Sequence, residues 1–175
     1  MFKTIVAATD GSDHAHKAVD LATDLAQKYG AELVLLHVLD FDKNTEALRR
    51  LAESEHLTGP NRPAGGFNFA NIPTELAGAL RANEDHVSIR KAIEVIARQI
   101  LADAKETALD KGVKRVRHAV EEGDPARCIL DCARRENADL IVLGSRGLGD
   151  LKGLLLGSVS HKVSQLAECS CVTVK

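Results

Sequence analysis

Apolar residues fall along this chain in two alternating patterns, short continuous runs and longer stretches in which an apolar residue recurs every three or four positions. Short runs bounded by turn residues predict buried strands, and the longer recurrence predicts the inward face of a helix. The strand-like runs cover residues 5–8, 32–38, 115–120, 140–143 and 171–174, and the helix-like stretches cover residues 15–29, 89–108, 126–133 and 158–167. Strands that alternate with helices predict an α/β fold with a single doubly wound, five-stranded parallel sheet and helices on both faces.

The ends of these elements carry residues that begin and stop helices. Thr9-Asp10-Gly11-Ser12 follows the first strand with turn and cap chemistry, and Gly30 supplies a left-handed stop after the first helix. Gly123-Asp124-Pro125 supplies a cap and a first-turn proline before the third helix. The third strand is less apolar than the others, so we expect it near an edge of the sheet.

The chain has the size of a single domain, and one segment interrupts its alternation of strands and helices. With 175 residues, of which 45% are hydrophobic, the chain has the size and composition of a single domain over residues 1–175. Residues 41–85 lose the regular pattern, and we interpret them as an insertion or flexible loop, since structureless connections of that length rarely belong to a core. A disordered surface excursion is the favoured interpretation. Phe67, Phe69 and Ile72 keep open a segment that folds over a site or against a partner subunit.

Charge and hydropathy exclude several classes of partner. A net charge of −2 with scattered basic residues gives no general attraction to nucleic acid or acidic lipid. No apolar run approaches the length of a membrane span, and the start of the chain leads directly into a strand, so we expect a cytoplasmic protein. Cys128, Cys132, Cys169 and Cys171 lack zinc-ribbon or redox spacing and are interpreted as small buried side chains.

The main candidate chemistry lies in residues 140–160, where a short apolar run breaks into a glycine-rich loop. The spacing is Gly144-x-x-Gly147, nine residues, then Gly157-Ser158. It is neither a P-loop nor the dinucleotide fingerprint, because no Gly-Lys-Ser/Thr closes it and a lysine stands where a third glycine is needed. Loops between a strand's carboxyl end and a helix's amino end bind anions through free N–H groups and the helix dipole. We therefore interpret the loop as a phosphate cradle, towards which a doubly wound sheet brings Asp10.

Further stretches of the chain, together with this spacing, resemble a known family. They are Val6-Ala-Ala-Thr-Asp-Gly-Ser12, Leu36-His-Val38 and Ala138-Asp-Leu-Ile-Val-Leu-Gly-Ser-Arg-Gly147. The chain resembles the nucleotide-binding branch of the universal stress protein family over its whole length apart from the segment at residues 41–85. This resemblance implies a Rossmann-like fold with sheet order 3-2-1-4-5, ATP or a related adenine nucleotide (ADP or AMP) as ligand, and a homodimer made largely through the last strand. Ser170 departs from the family, in which proline is common before that strand.

The resemblance also implies a nucleotide site to which the residues are chemically suited. Gly144 and Gly147 would let the backbone approach phosphates, and the Ser158 and Ser160 hydroxyls would add hydrogen bonds to those from nearby N–H groups. The implied cofactor-binding residues are Ala8, Thr9, Asp10, Val38, Leu143, Gly144, Arg146, Gly147, Gly157, Ser158, Val159 and Ser160.

The remaining roles concern the base, the ribose and the charges. Val38 would line the adenine pocket with Ala8 and Leu143. Asp10 would accept from ribose hydroxyls or face the phosphates through nucleotide-bound Mg²⁺. The side chains of Arg146 and Lys152 would add positive charge.

Three of these residues have a plainer alternative role. Asp10 could serve only to cap the first helix, Ser158 only to cap the fourth, and Val38 would be buried in any such sheet. His14 and His16 do not share a helix face, so we interpret them as solvated surface rather than a metal site.

Together these features favour an ATP-binding stress or regulatory protein that uses nucleotide occupancy as its signal. A slow ATPase is a weaker alternative, because no carboxylate or histidine in the loop is evidently placed to activate water. A third alternative is a nucleotide-free interaction module, in which residues 41–85 recruit a protein partner.

Overall fold

The computed structural model describes residues 2–41, 86–147 and 156–175. The strands are β1 (Thr4–Ala8), β2 (Glu32–Leu39), β3 (Val116–Glu122), β4 (Leu140–Gly144) and β5 (Ser170–Val174), and the helices are α1 (Asp13–Tyr29), α2 (His86–Asp110), α3 (Pro125–Arg135) and α4 (Ser158–Leu166). The predicted insertion lies outside the described residues apart from Phe41, as does Lys152, and both interpretations stay predictions.

All neighbouring strands are parallel, and their order is β3-β2-β1-β4-β5. The fold class and the order 3-2-1-4-5 are therefore confirmed, and β3 is an edge strand as its composition predicts. Ala8, the last residue of β1, lies beside Leu36 of β2 and Leu143 of β4. After β1 the chain adds β2 and β3 on one side of that strand and then returns to add β4 and β5 on its other side. The switch point, at which sheets of this kind bind ligands, therefore lies between β1 and β4.

Helices cover both faces of the sheet. On one face, α1 and α2 pack against residues such as Ile5, Leu35 and Val142, all of them fully buried. On the other face, α3 and α4 pack against the alternate residues of the same strands, including Val6 and Ile141. A strand covered on both sides has no solvent face, which is why β1, β2 and β4 are almost continuously apolar.

Local capping chemistry sets the helix ends. Ser12 Oγ accepts a hydrogen bond from the Ala15 amide at the start of α1, and Gly30 ends that helix with a φ of 64°. Asp124 caps α3 by accepting from the Arg127 amide, with a proline in the first turn. These caps are the ones that the sequence predicts.

The strand ends differ slightly from the prediction. β3 continues to Glu122 because Glu121 and Glu122 lie beside Val38 and Leu39 at the end of β2. Because these side chains are charged, a search for apolar runs does not detect this end of the strand, although backbone pairing with β2 fixes it. Within the described ranges, no helix is both long and apolar enough to cross a membrane.

Candidate functional site

Thr9 and Asp10 leave β1 at the carboxyl edge of the sheet and form the turn before α1. The Thr9 hydroxyl accepts from the Gly11 amide at 3.2 Å, and Asp10 Oδ1 accepts from the Ser12 amide at 3.0 Å. Since Ser12 caps α1, Asp10 helps to shape the start of that helix, as the plainer interpretation expects. Its second carboxylate oxygen, Oδ2, faces the loop after β4.

Two glycines, one at the end of β4 and one in the loop that follows it, allow the close approach of other parts of the protein. A Cβ atom at Gly144 would lie 2.9 Å from the backbone carbonyl carbon of His14 and from the amide nitrogen of Ala15, so a side chain there would collide with α1. A Cβ atom at Gly147 would overlap Oδ2 of Asp10. Position 144 therefore needs glycine for internal packing, whereas a side chain at position 147 would displace the Asp10 carboxylate, whether or not a phosphate also approaches either position.

Ser145, between these glycines, is fully buried and joins three elements to the loop. Its amide donates to the Val174 carbonyl of β5 at 2.6 Å, and its carbonyl accepts from the Gly157 amide and the Ser160 hydroxyl, both at 2.7 Å. Its hydroxyl oxygen lies 3.0 Å from His14 Nδ1 on α1. Sequence reasoning did not single out Ser145, because a serine between two glycines is typical of any turn.

The first turn of α4 borders the glycine loop, because the Gly157 amide donates to the Ser145 carbonyl. Gly157 is the N-cap residue, with no side chain to cap the helix, and Ser158 is the exposed first helical residue. The alternative in which Ser158 serves only as the cap is therefore wrong. The first N–H groups of a helix lack intrahelical acceptors, so those of Ser158 and Val159 are available to an acceptor from outside. The Ser160 hydroxyl is already engaged, with Ser145 and with the Gly157 carbonyl at 3.0 Å.

Ala8, Val38 and Leu143 come together on the α3/α4 face, at the carboxyl ends of three adjacent strands. Ala8 and Leu143 are buried, whereas Val38 stays partly exposed at the margin of the apolar cluster. The expectation that Val38 would be buried in any such sheet is therefore wrong. The three side chains form an apolar wall with an open edge, which is the surface that a flat aromatic base needs.

His14 belongs to the site, contrary to the interpretation of this residue as solvated surface. The side chain is partly buried, with Nδ1 at 3.0 Å from Ser145 Oγ and Nε2 at 3.4 Å from Arg146 Nη2. His16 is exposed, as expected. The available signal was topological: a loop that approaches Asp10 also approaches the first turn of the helix that follows it.

His37 on β2 is a second buried group that sequence reasoning left without a role. It is 6% exposed, and its Nδ1 atom has no hydrogen-bond partner among the described residues. Burial lowers the pKa of the imidazole, while the Asp10 charge and a hydrogen bond with the Thr9 backbone offset part of that effect. The His37 imidazole, which is uncharged at neutral pH, therefore lies next to the turn at Thr9 that follows β1.

The cysteines and acidic residues make no protein-built metal centre in the described part of the chain. Burial raises the pKa of the Cys132 thiol to about 11, which keeps it protonated and inert. No cluster of three or more histidine, cysteine or acidic side chains in the described ranges could hold a metal ion. The expectation that Asp10 faces nucleotide-bound Mg²⁺ stays a prediction.

Comparison with known sequences identifies similar proteins over the whole chain. A family model described as the universal stress protein family matches residues 1–62 and 69–175, which include most of the predicted insertion. The universal stress protein YxiE of Bacillus subtilis strain 168 is 35% identical over 176 residues, covering 100% of both chains.

Solved structures with the same fold include nucleotide complexes. Hypothetical protein MJ0577 is similar with a TM-score of 0.66 and 25% identity, over 100% of this chain and 96% of that one. A universal stress protein in complex with cAMP has a TM-score of 0.60 at 22% identity, over 99% and 97% of the two chains. A universal stress protein from Archaeoglobus fulgidus in complex with dAMP has a TM-score of 0.58 at 17% identity, over 100% and 98%. At these identities the last two similarities establish the fold of this chain and not its ligand.

Proposed function

Because the chain belongs to the universal stress protein family, we propose that it binds an adenine nucleotide between β1 and β4 and that occupancy of this site is its regulatory signal. The observation that carries the proposal is the meeting of Asp10, the glycine loop and the first turn of α4 at the switch point of the sheet. Helix N–H groups and a backbone without side chains suit phosphates, and a carboxylate suits ribose hydroxyls or a nucleotide-bound Mg²⁺.

In the proposed arrangement each part of the nucleotide meets one part of the site. The phosphates lie at Gly147 and at the Ser158 and Val159 amides, and Asp10 accepts from the ribose. The base lies against the wall at Val38. The complexes of similar proteins with cAMP and dAMP support this ligand class. We propose ATP with Mg²⁺ as the ligand within this class, with ADP and AMP as competitors.

The proposal includes a homodimer and a cytoplasmic location. β5 is an edge strand whose residues are exposed or only partly buried, so it can pair with a second copy. Sedimentation equilibrium of the 18.8 kDa chain is expected to give twice that mass. A mass that stays at the monomer value at high concentration would contradict the dimer without affecting the nucleotide site.

The site is tested by a charge placed where the phosphates are proposed to lie. Ser158→Asp adds an acid to the first turn of α4, where the helix dipole favours it, so the fold is retained while a phosphate is repelled. The matched control is Gln165→Glu, which adds the same charge on the exposed surface about 10 Å along the same helix. At physiological salt that distance exceeds the Debye length of about 8 Å.

Calorimetric titration of ATP with Mg²⁺ is the measurement, together with mass spectrometry of the nucleotide that co-purifies. We expect Ser158→Asp to weaken binding about tenfold or more and Gln165→Glu to change it by less than about twofold. Equal binding by wild type and Ser158→Asp would contradict this site. A wild-type protein that neither carries nor binds an adenine nucleotide would contradict the function and favour the interaction module.

A further inference from the structure

A pocket of about 420 Å³ opens at the amino edge of the sheet, the end opposite to the proposed nucleotide site. Its lining includes Lys3 and Thr4 at the start of β1, Glu32 at the start of β2 and Arg115 just before β3. The length of β1, about 13 Å at roughly 3.3 Å per residue, separates this pocket from the switch point. Small-molecule sites in proteins have similar volumes, so the pocket is large enough to hold a ligand of its own.

Two aromatic rings form the apolar part of this pocket. Phe2 and Tyr29 meet edge to face, with ring centroids 5.5 Å apart and ring planes at 88°. Phe2 also packs against the apolar cluster on the α1/α2 face of the sheet, which fixes its place. The chain has four phenylalanines, one tyrosine and no tryptophan, so the pocket holds a large share of its few aromatic rings. Such a pair offers ring surface against which a flat apolar body can pack.

The Arg115 guanidinium supplies the cation of the pocket. Its Nη2 atom donates to the Gly30 carbonyl at 3.3 Å, which is its only hydrogen bond to the described residues, and none of their carboxylates pairs with it. A guanidinium has five N–H donors, so the remaining donors are available to an anion. Glu32, the acid in the lining, is already paired with Arg117. The pocket therefore carries a cation whose charge no acid of the described chain offsets directly.

Backbone N–H groups around the pocket are already engaged, so an anion there depends on side chains. The Thr4 amide donates to Asp139 Oδ2 at 3.0 Å, and the Glu32 amide donates to the Lys3 carbonyl at 2.8 Å. The Lys3 side chain is exposed, and the Asp139 carboxylate attracts its charge. Arg115 is therefore the main anion-binding group of the pocket.

We propose that this pocket binds a small aromatic carboxylate, with the carboxylate on the Arg115 guanidinium and the ring against Phe2 and Tyr29. A planar guanidinium suits a carboxylate, which can accept two parallel N–H bonds. An anion without an apolar body leaves both rings in contact with water, and an uncharged aromatic compound leaves the guanidinium without an anion. The inference does not depend on the proposed function, because no residue of the proposed nucleotide site lines this pocket.

Tyr29 provides a direct readout, because it is the only tyrosine of the chain and lines the pocket. Benzoate is the probe, benzyl alcohol is the control without charge, and acetate is the control without a ring. In NMR titrations of protein with isotope-labelled tyrosine, we expect benzoate to shift the Tyr29 ring signals saturably and to bind about fivefold more tightly than either control. Saturating ATP should leave the benzoate titration unchanged, because the nucleotide is proposed to lie at the other edge of the sheet.

Four variants separate the contribution of the cation from that of the ring. Arg115→Gln is expected to weaken benzoate binding about fivefold and benzyl alcohol binding by less than about 1.5-fold, since only charge-assisted bonds are lost. Arg98→Gln, the matched control, removes the same charge from an exposed position on α2 and should change neither. Arg115→Lys keeps the charge without the planar fork and should fall between wild type and Arg115→Gln. Phe2→Leu keeps an apolar side chain against the core and should weaken both aromatic probes about threefold.

The opposite results would overturn the proposal. A wild-type protein without a saturable Tyr29 shift would exclude the site, and equal benzoate affinity in wild type and Arg115→Gln would exclude the role of Arg115. Equal losses in Arg98→Gln and Arg115→Gln would indicate a general effect of charge instead of a contact. A benzoate shift that ATP abolishes would contradict a pocket separate from the nucleotide site.

Discussion

The helices α1 and α4 both begin at the carboxyl edge of the sheet, and their first turns are completed in different ways. The N-terminus of α1 is capped by the residues that precede it: Ser12 is the N-cap, and Asp10 accepts a hydrogen bond from the Ser12 amide. α4 begins at Gly157, which has no side chain to offer, and an exposed serine follows. α3 resembles α1, because Asp124 caps it.

The difference between the two N-terminal caps indicates different roles for the starts of α1 and α4. A capped N-terminus has used part of its hydrogen-bonding capacity internally, whereas an N-terminus without a side-chain cap keeps its first N–H groups for water or a ligand. In the proposed nucleotide site, the α1 end is therefore the fixed side and the α4 end is the side that would receive the ligand.

The largest effect is expected from a methyl group on the fixed side. Gly144→Ala places Cβ 2.9 Å from α1 backbone atoms that cannot move independently, so we expect the free energy of unfolding to fall by about 3 kcal/mol. Gly30→Ala is the matched control, because only its φ of 64° opposes the side chain and a loss of about 1 kcal/mol is expected. Urea unfolding measures both, and similar losses would refute tight packing at Gly144.

Replacing the serine at the start of the helix by alanine should lower the free energy of unfolding at α1 but not at α4. Ser12→Ala takes the acceptor from the Ala15 amide and is expected to cost about 1 kcal/mol of unfolding free energy. Ser158→Ala removes no capping bond from α4 and should stay within roughly 0.5 kcal/mol of wild type. Thermal unfolding of the two variants side by side is the measurement. A larger loss in Ser158→Ala would invert the comparison.

A methyl group between the two sides should affect binding more than stability. Gly147→Ala displaces the Asp10 carboxylate, the end of a flexible side chain, so the cost in unfolding free energy should stay under about 1 kcal/mol. ATP affinity is expected to fall about fivefold, because Asp10 is moved from its place. In an Asp10→Ala background the methyl group meets no carboxylate, and a persisting effect of Gly147→Ala there would count against this explanation.

The buried His37, next to the turn that leads into α1, is expected to make the stability of the fold depend on pH. The pKa of His37 is lowered chiefly by burial, so below the ordinary histidine value of about 6.5 the unfolded chain binds a proton before the folded protein does. Stability from this group is complete above that pH and is lost as the pH falls towards the lowered pKa. Unfolding free energies between pH 8 and 5 should slope less in His37→Gln than in wild type. His16→Gln, at an exposed position, is the control, and a slope unchanged in His37→Gln would exclude this histidine as the source.

The fold was predictable because its determinants are local. Apolar runs fix the central strands, and the caps at Ser12, Gly30 and Asp124 act within a few residues of the helices that they end. β3 was predicted two residues short because its last pairs depend on β2, far away in the sequence. Local patterns carry no record of such pairing.

The glycine loop of the candidate site could be located from the sequence, but the contacts within it could not. Glycine spacing marks the loop, yet the reason for glycine at 144 is the α1 backbone and at 147 is Asp10, both more than 120 residues away. His14 and Ser145 were missed for the same reason, since neither residue type indicates its distant partner. The proposed ligand contacts of these residues stay predictions.

The close approach of Asp10 to Gly147 also has an evolutionary consequence. Because any side chain at position 147 would overlap the carboxylate at position 10, the two positions are not free to change independently. Among relatives of this chain, a residue other than glycine at 147 should accompany a shorter residue at 10. Substitutions at the two positions should therefore be correlated. A relative without glycine at position 147 should also lack the aspartate that follows its first strand.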